Sequence, residues 1–420
     1  MVGPVIGSVR RRGVAGVAGA VFSALTQFAL VVVVTRSFTA AEAGAFFTVT
    51  ALALMAAGIA KLDAGNGLIY FIARARTFEY RGISGYIRAA LLPSVVAACA
   101  AGALLYPHLG LLAAAIPLIV AGDVLLAATR GFGAMRPTVV LDGVLVPGCQ
   151  LALVTAVALT GAVWWLPVAW AAPYALLPVL AATTLRGRAP HTPYLSGTGR
   201  DLWRHTAPRS VAGAIQAVFQ RVDILIVAAL GGPAQAAVYT AATRFKVVGQ
   251  LANQGLAQAV QARLVRALAA GERARAGELY QTATVWLVLM TWPVWLGYAA
   301  LAPWLLHLFG PSYSQAAPVA LVLAGTMMVA TACGMVDVVL TAAGHTGASL
   351  LNVLAAIACT VALDLALIPS YGALGAVVGW SGGVLVKNLL PLWQLHRRYG
   401  LHPFGRHTLA ALRLRTRAAA

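Results

Sequence analysis

Charged side chains inside long apolar segments are the residues of this sequence best suited to do chemistry. Five are basic and six are acidic: Lys61, Arg221, Arg244, Lys246 and Lys387, with Asp63, Asp123, Asp142, Asp223, Asp337 and Asp364. An ionised group within a membrane is costly and usually faces the protein interior or a water-filled cavity. Each of these charges therefore needs a partner of opposite sign or a charged ligand.

Polar residues also form a stripe in the eighth apolar segment. They recur every three or four positions, which is one face of a helix: Tyr239, Thr243, Lys246, Gln250 and Asn253. The seventh segment adds Gln220 and Asp223. Lining of a wet cavity is one interpretation, and hydrogen bonding between neighbouring helices is the other.

The sequence predicts different positions for two lysines of the apolar segments. Lys387 follows Gly375, Gly379 and Gly383 at intervals of four, a face of small residues that lets helices approach closely. It is therefore predicted to point inward. Lys61 lies deep if its helix is continuous, and otherwise is a snorkelling interface lysine.

These observations predict a substrate-binding site and no catalytic residue, cofactor or metal centre. The four cysteines form no close pair, and the histidines lack metal-ligand spacing. The predicted site comprises Arg221, Arg244, Lys246, Lys387, Lys61, Gln220, Asp223, Gln250 and Asn253.

The elements that must position these residues are membrane helices. Of the 420 residues, 60% are hydrophobic and only 10% are charged, with a mean hydropathy of +0.83; soluble domains carry about 25% charged residues. A span needs about 20 residues, so twelve spans leave only short connections. The predicted spans are 14–35, 44–72, 86–105, 109–129, 139–159, 164–185, 210–230, 234–261, 282–308, 316–343, 349–368 and 373–395.

Arginine placement predicts the orientation. With the amino end in the cytoplasm, the inward loops and tails hold 24 of the 30 basic residues, whereas the outward loops hold only Arg36. Both termini are then cytoplasmic, in a multi-pass plasma membrane protein. The net charge of +19 is explained by this asymmetry, so nucleic acid is not an expected partner.

The two halves of the chain resemble each other. Residues 123–134 align with residues 337–348 with six of twelve positions identical. A shift of six helices preserves orientation, so the halves are predicted to be parallel repeats. We therefore predict an all-α protein with two six-helix lobes around a central cavity: lobes 1–190 and 209–398, a cytoplasmic linker 191–208 and a basic tail 399–420.

Several short motifs carry a family resemblance: Ala41-Glu-Ala-Gly-Ala-Phe-Phe47, Arg221-Val-Asp223 with Val238-Tyr-Thr-Ala-Ala-Thr-Arg244, and Pro369-Ser-Tyr-Gly-Ala-Leu-Gly375. In combination the chain resembles the oligosaccharide and polysaccharide flippases of the multidrug/oligosaccharidyl-lipid/polysaccharide (MOP) superfamily. The resemblance implies movement of an undecaprenyl-diphosphate-linked oligosaccharide from the cytoplasmic to the outer leaflet of a bacterial inner membrane, by alternating access. It also implies membrane lipids as partners, and polysaccharide polymerases or glycosyltransferases as associated proteins. Transport coupled to H⁺ or Na⁺ is compatible with this family, and the sequence does not identify the coupling ion.

Three alternatives remain. A multidrug or cation antiporter of the same superfamily would use a carboxylate such as Asp123, Asp337 or Asp223 as its cation site. A major-facilitator transporter also has twelve helices, but its Gly-x-x-x-Asp-Arg loop is missing here. A membrane glycosyltransferase would need carboxylate-rich outward loops, and those of this chain are short and bare.

Overall fold

The computed structural model describes residues 3–78, 82–189, 197–406 and 408, and these ranges contain helices and no β-strand. The chain divides into two compact units, Met1–Leu225 (unit 1) and Ile226–Ala420 (unit 2). The helices that lie in unit 1 are α1 Gly3–Ser37, α2 Ala40–Ala60, α3 Ala64–Thr77, α4 Ile83–Leu109, α5 Ala115–Gly131, α6 Val146–Thr160, α7 Leu166–Ala171, α8 Pro173–Arg186 and α9 Thr198–Phe219. Helix α10, Val222–Gly231, contains the division. Unit 2 continues with α11 Pro233–Thr243, α12 Lys246–Ala269, α13 Arg273–Ala300, α14 Ala302–His307, α15 Ala317–Ala332, α16 Val336–Ala342 and α17 Thr346–Tyr399.

Many of these helices, alone or joined to a neighbour, are long and apolar enough to cross a membrane. In the described ranges, eight helical runs meet that standard of length and composition, or nine if α9 and α10 form one broken span. The predicted all-α, multi-pass membrane architecture is confirmed.

Two of the eight runs contain more than one span. In α17 the backbone leaves the helical region at Gly372 (φ 53°, ψ −129°). A side chain at Gly383 would lie 2.8 Å from the Ala356 carbonyl oxygen, so the two arms of α17 run back along each other. The run Ile83–Gly131 likewise contains α4 and α5, which pack together. If each of these two runs counts as two spans, and α9 with α10 counts as one, the described ranges contain eleven candidate spans. Helices α11 and α12 lie where the sequence predicts the remaining span, 234–261.

Several predicted spans are interrupted in the structure. Four of these interruptions, each two or three residues long, lie at 61–63, 220–221, 244–245 and 333–335. Only the last contains a residue with strong helix-breaking character, Gly334 (φ 72°). Side chains of neighbouring helices contact the interruptions at 61–63 and 244–245, and hydropathy does not reveal such contacts.

Helix α9 packs within unit 1, against α2, α3 and α4. Small residues allow this approach: a side chain at Gly67 would meet Leu202, and one at Gly58 would meet Ala217. The helix begins at Thr198, inside the segment that the sequence analysis assigned to a linker. Residues 191–196 and most of the tail 399–420 lie outside the described ranges, and the domain boundaries remain a prediction.

The core of unit 2 is built by α12, α13, α15, α16 and α17. Large aromatic side chains fill it, including the fully buried Tyr280, Trp295 and Phe309. The Tyr280 hydroxyl donates to the carbonyl oxygen of Cys333 at 2.5 Å, at the point where α15 ends. The interruption before α16 is therefore fixed by a buried hydrogen bond.

Candidate functional site

In unit 1, a turn that neighbouring helices stabilise interrupts the chain between α2 and α3. Leu62 and Asp63 both adopt the left-handed conformation (φ 51° and 52°), which costs residues with a side chain about 1–2 kcal/mol each. Hydroxyl groups satisfy the backbone carbonyls that the interruption exposes. Ser94 donates to the Lys61 oxygen at 3.2 Å, and Ser210 donates to the Leu62 oxygen at 2.6 Å.

The Asp63 side chain secures the same turn to α9. Its Oδ2 atom lies 2.9 Å from Arg209 Nε, and its Oδ1 atom accepts from the Asn66 amide at 2.6 Å. Asp63 is thus committed to structure, and Lys61 is held at the end of α2 by the turn that follows it.

Lys61 faces an acidic residue of α5. Its Nζ atom lies 3.7 Å from Asp123 Oδ2, and both side chains are partly open, at 45% and 40% exposure. Asp142 and Arg130 are close enough to interact electrostatically with the same carboxylate. Asp142 lies in a π-helical stretch, Thr138–Leu145, a distortion that often marks functional sites. Two acids and two bases therefore form one cluster in unit 1.

A chain of amides lies beside this cluster. Gln150 is fully buried; its oxygen accepts from Gln27 at 3.0 Å and its nitrogen donates to the Trp170 carbonyl oxygen at 3.0 Å. Tyr174 lies close enough to Gln150, Asp123 and Arg221 to interact with them electrostatically. Polar groups of α1, α6, α7 and α8 thus lie next to one another in unit 1.

Arg221 lies in the interruption between α9 and α10. The preceding Gln220 caps α9 through its backbone and has an exposed side chain. Arg221 interacts electrostatically with Tyr174 and with Asp223. Asp223 is almost completely buried, and its Oδ1 atom accepts from the Ile224 N–H at 2.9 Å. A continuous helix would separate residues 221 and 223, so the interruption brings this pair together.

In unit 2, Arg244 lies in the interruption between α11 and α12. Aromatic residues fix the chain there. The Tyr298 hydroxyl donates to the Ala242 oxygen at 2.7 Å, and the Phe245 ring stacks on the Tyr298 ring with 4.2 Å between centroids. Arg244 is thereby anchored on both sides by α13.

Lys246 begins α12 and points at two aromatic rings. Its Nζ atom lies 4.4 Å from the centroid of Trp380 on α17 and 5.4 Å from that of Tyr239 on α11. Ring faces attract cations electrostatically. Trp380 was not predicted as part of the site, because nothing in the sequence links it to Lys246.

Lys387 is half-buried on the second arm of α17 and interacts electrostatically with Asp337. Asp337 also accepts a hydrogen bond from the Ser349 hydroxyl at 2.5 Å. A second acid of unit 2, Asp364, is completely buried opposite Gly379. The structure therefore gives Lys387 an acidic neighbour on α16.

The remaining predicted residues lie on α12. Asn253 is exposed, and the side chain of Gln250 lies outside the described part of the structure. Within the described ranges, no three His, Cys, Asp or Glu residues are arranged to hold a metal ion. Sequence reasoning missed Arg130, Gln150 and Tyr174, and the only signal for them was a set of polar side chains in otherwise apolar spans.

Comparisons with known proteins agree with this architecture. Residues 208–366 match the MatE family model, and no protein of curated function has a matching sequence. An inward-facing multidrug resistance MATE family transporter of the MOP superfamily has a similar structure, with a TM-score of 0.70 and 18% identity over 90% of this chain and 94% of that one. The inward closed conformation of the lipid II flippase MurJ gives a TM-score of 0.72 and 12% identity, over 95% and 91% of the two chains.

A third similar structure is a MOP superfamily transporter from Pyrococcus furiosus whose binding pocket has reversed polarity. Its TM-score is 0.57 and its identity is 18%, over 93% of this chain and 95% of that one. At these identities the similarity shows the fold. The chain is a multi-pass membrane protein with the fold of MOP superfamily transporters, and its residues 208–366 match the MatE family model.

Proposed function

We propose that this protein is a flippase that moves undecaprenyl-diphosphate-linked oligosaccharide from the cytoplasmic to the outer leaflet, for cell-surface polysaccharide synthesis. One observation carries the proposal. Three intramembrane cations, Lys61, Arg221 and Arg244, each lie at an interruption in a membrane helix. Interrupted helices form the substrate and ion sites of many transporters, because irregular backbone within a membrane is tolerated where it lines a cavity.

The chemistry of the diphosphate decides which cations we assign to it. Arg221 and Arg244 have planar forks of N–H donors that match phosphate oxygens in pairs. Lys246 supplies a third charge that Trp380 and Tyr239 hold in place. Lys387 and Lys61 assist from positions beside Asp337 and Asp123.

Polar uncharged groups suit the sugar part of the substrate. Gln220, Gln250 and Asn253 are assigned to sugar hydroxyls, since an amide both donates and accepts hydrogen bonds. Asp223 is assigned a tuning role, because its carboxylate reduces the local positive charge beside Arg221. Membrane lipids surround the protein, and polymerases or glycosyltransferases are its proposed associates.

A second function is favoured by a different observation. The acids Asp123 and Asp142 share one cluster in unit 1, and the MatE-type region covers residues 208–366. An ion-coupled multidrug antiporter would use such a carboxylate to bind H⁺ or Na⁺. In that case transport would depend on an acid rather than on an arginine.

Replacement of Arg244 in the living host tests the proposal. We expect Arg244→Ala to abolish surface polysaccharide while the protein remains in the membrane at its normal level. Arg263→Ala is the matched control, because Arg263 is an exposed arginine of the same unit, on α12. Normal polysaccharide in the Arg244→Ala strain would contradict the proposal.

A further inference from the structure

A pocket lined by aromatic and basic residues lies at one end of unit 1. It is formed by the end of α3, the start of α4 and the first turns of α9, and its volume is about 640 Å³. This lies within the range of small-molecule sites, roughly 300–1,000 Å³. None of its residues belongs to the clusters around Lys61, Arg221 or Arg244.

Four rings build one wall of the pocket. Tyr70 stacks on His205 with 4.9 Å between centroids and 14° between planes, and Phe71 stacks on Tyr86 at 5.0 Å and 26°. Phe71 and Tyr86 are buried, whereas Tyr70 is 48% exposed. The buried pair thus supports Tyr70, and part of its ring stays open to a ligand.

A fifth ring, Phe78, extends the aromatic surface and is 73% exposed. Exposed aromatic rings of this kind suit the apolar C–H face of a sugar ring, which gains by leaving water. The aromatic part of the pocket therefore favours a ligand that contains a ring with an apolar face.

Charged groups border the same surface. Arg74 follows Tyr70 by one turn of α3, and Arg204 precedes His205 on α9; both are exposed. Two guanidinium groups favour a phosphorylated ligand. Asp201 adds a carboxylate, which accepts hydrogen bonds from hydroxyl groups. Phosphate donors, hydroxyl acceptors and an aromatic wall are thus present in a single pocket.

We propose that this pocket is a loading site for the glycosyl diphosphate head group of the substrate, used before translocation. The inference rests on the proposed flippase function. It also uses the arginine asymmetry, which predicts that this end of unit 1 is cytoplasmic, the side from which the substrate comes. A phospholipid head group would use the arginines but not the aromatic wall, so we assign the pocket to the sugar-bearing ligand.

Binding to the purified full-length protein in detergent tests the assignment, with N-acetylglucosamine linked to farnesyl diphosphate as the probe. Experiments in the Arg244→Ala background weaken the other proposed diphosphate site. We expect Arg74→Gln and Arg204→Gln each to weaken binding about tenfold, as expected for loss of a charge-assisted hydrogen bond. Phe78→Ala should weaken the glycosylated probe more than farnesyl diphosphate itself.

Matched controls lie next to both arginines. Arg76 on α3 donates to the Phe132 oxygen at 2.7 Å instead of lining the pocket, and Arg200 lies one turn before Arg204 on α9. Arg76→Gln and Arg200→Gln should therefore bind the probe normally. Equal losses in these variants would overturn the inference, and so would equal binding of dioctanoyl phosphatidylglycerol.

Transport rates separate this inference from the proposed function. Loss of a loading site should raise KM for lipid-linked oligosaccharide about tenfold with little change in kcat, whereas Arg244→Ala should remove transport. If the wild-type protein translocates the substrate and the Arg74 and Arg204 variants show an unchanged KM, the loading site is wrong and the flippase stands. If the wild-type protein moves no lipid-linked oligosaccharide, the flippase assignment itself fails.

Discussion

At the scale of single residues, unit 1 contains two ion pairs that differ in length and in exposure. Asp63 holds Arg209 and a strained turn, which makes it structural. The Lys61–Asp123 pair is longer and half open to its surroundings. In the water-filled cavity that we propose here, a long and partly open pair of this kind contributes little stability, and so it is available to exchange partners with a ligand.

A double replacement tests that interpretation. We expect Lys61→Gln and Asp123→Asn each to change the free energy of unfolding by no more than about 1 kcal/mol, and the two single effects to add in the double variant, because a weak pair has little coupling energy. Thermal unfolding of the four proteins in detergent measures this coupling. The exposed pair Arg275–Glu278 on α13, whose side chains are 57% and 42% exposed, provides the comparison. Single replacements at Lys61 or Asp123 that prevent folding would show instead that the pair is structural.

At the scale of elements, hydropathy predicted where helices cross the membrane but not where they break. The turn at Leu62 and Asp63 contains neither glycine nor proline, and Ser94 and Ser210, from α4 and α9, stabilise it. Such contacts are invisible in a single sequence. By contrast, the sequence predicted both the turn near Gly372 and the close helix packing after it. Small residues at intervals of four indicate a helix face that packs closely against another helix.

The pocket of unit 1 was missed for a related reason. Its aromatic residues come from three helices, and in the sequence each one has the character of an ordinary core or interface residue. The cations were easier to find, since charge in an apolar segment is conspicuous. Which residues neighbour those cations, such as Trp380 beside Lys246, depended on the fold.

The close approach of the two arms of α17 gives a prediction for this element. A methyl group at Gly383 would collide with the Thr360 hydroxyl and lie 2.8 Å from the Ala356 oxygen. We therefore expect Gly383→Ala to destabilise the protein by about 1–3 kcal/mol. Gly325→Ala on α15 is the control, because that site has no neighbouring atom within 4 Å. Thermal unfolding of both variants in detergent provides the measurement, and equal stability would contradict the packing of these arms.

At the scale of the whole molecule, the arginine asymmetry predicts an orientation in the membrane. Reporter fusions after Arg200 and Arg406 should be cytoplasmic, and fusions after Tyr106 and Gly232 should be external. An external reporter at Arg200 would reverse this orientation. It would also place the pocket between α3, α4 and α9 on the side from which no substrate is expected to load.

In the function proposed above, an arginine at a helix interruption binds the diphosphate while it crosses the membrane. The most direct test is translocation of fluorescent undecaprenyl-diphosphate-linked oligosaccharide in proteoliposomes, followed by its accessibility to an added glycosidase. We expect rapid translocation by the wild type and by Arg263→Ala, and measurable translocation by Asp123→Asn. Arg244→Ala should match vesicles without protein. An active Arg244→Ala variant beside an inactive Asp123→Asn variant would contradict the flippase proposal and favour an ion-coupled antiporter.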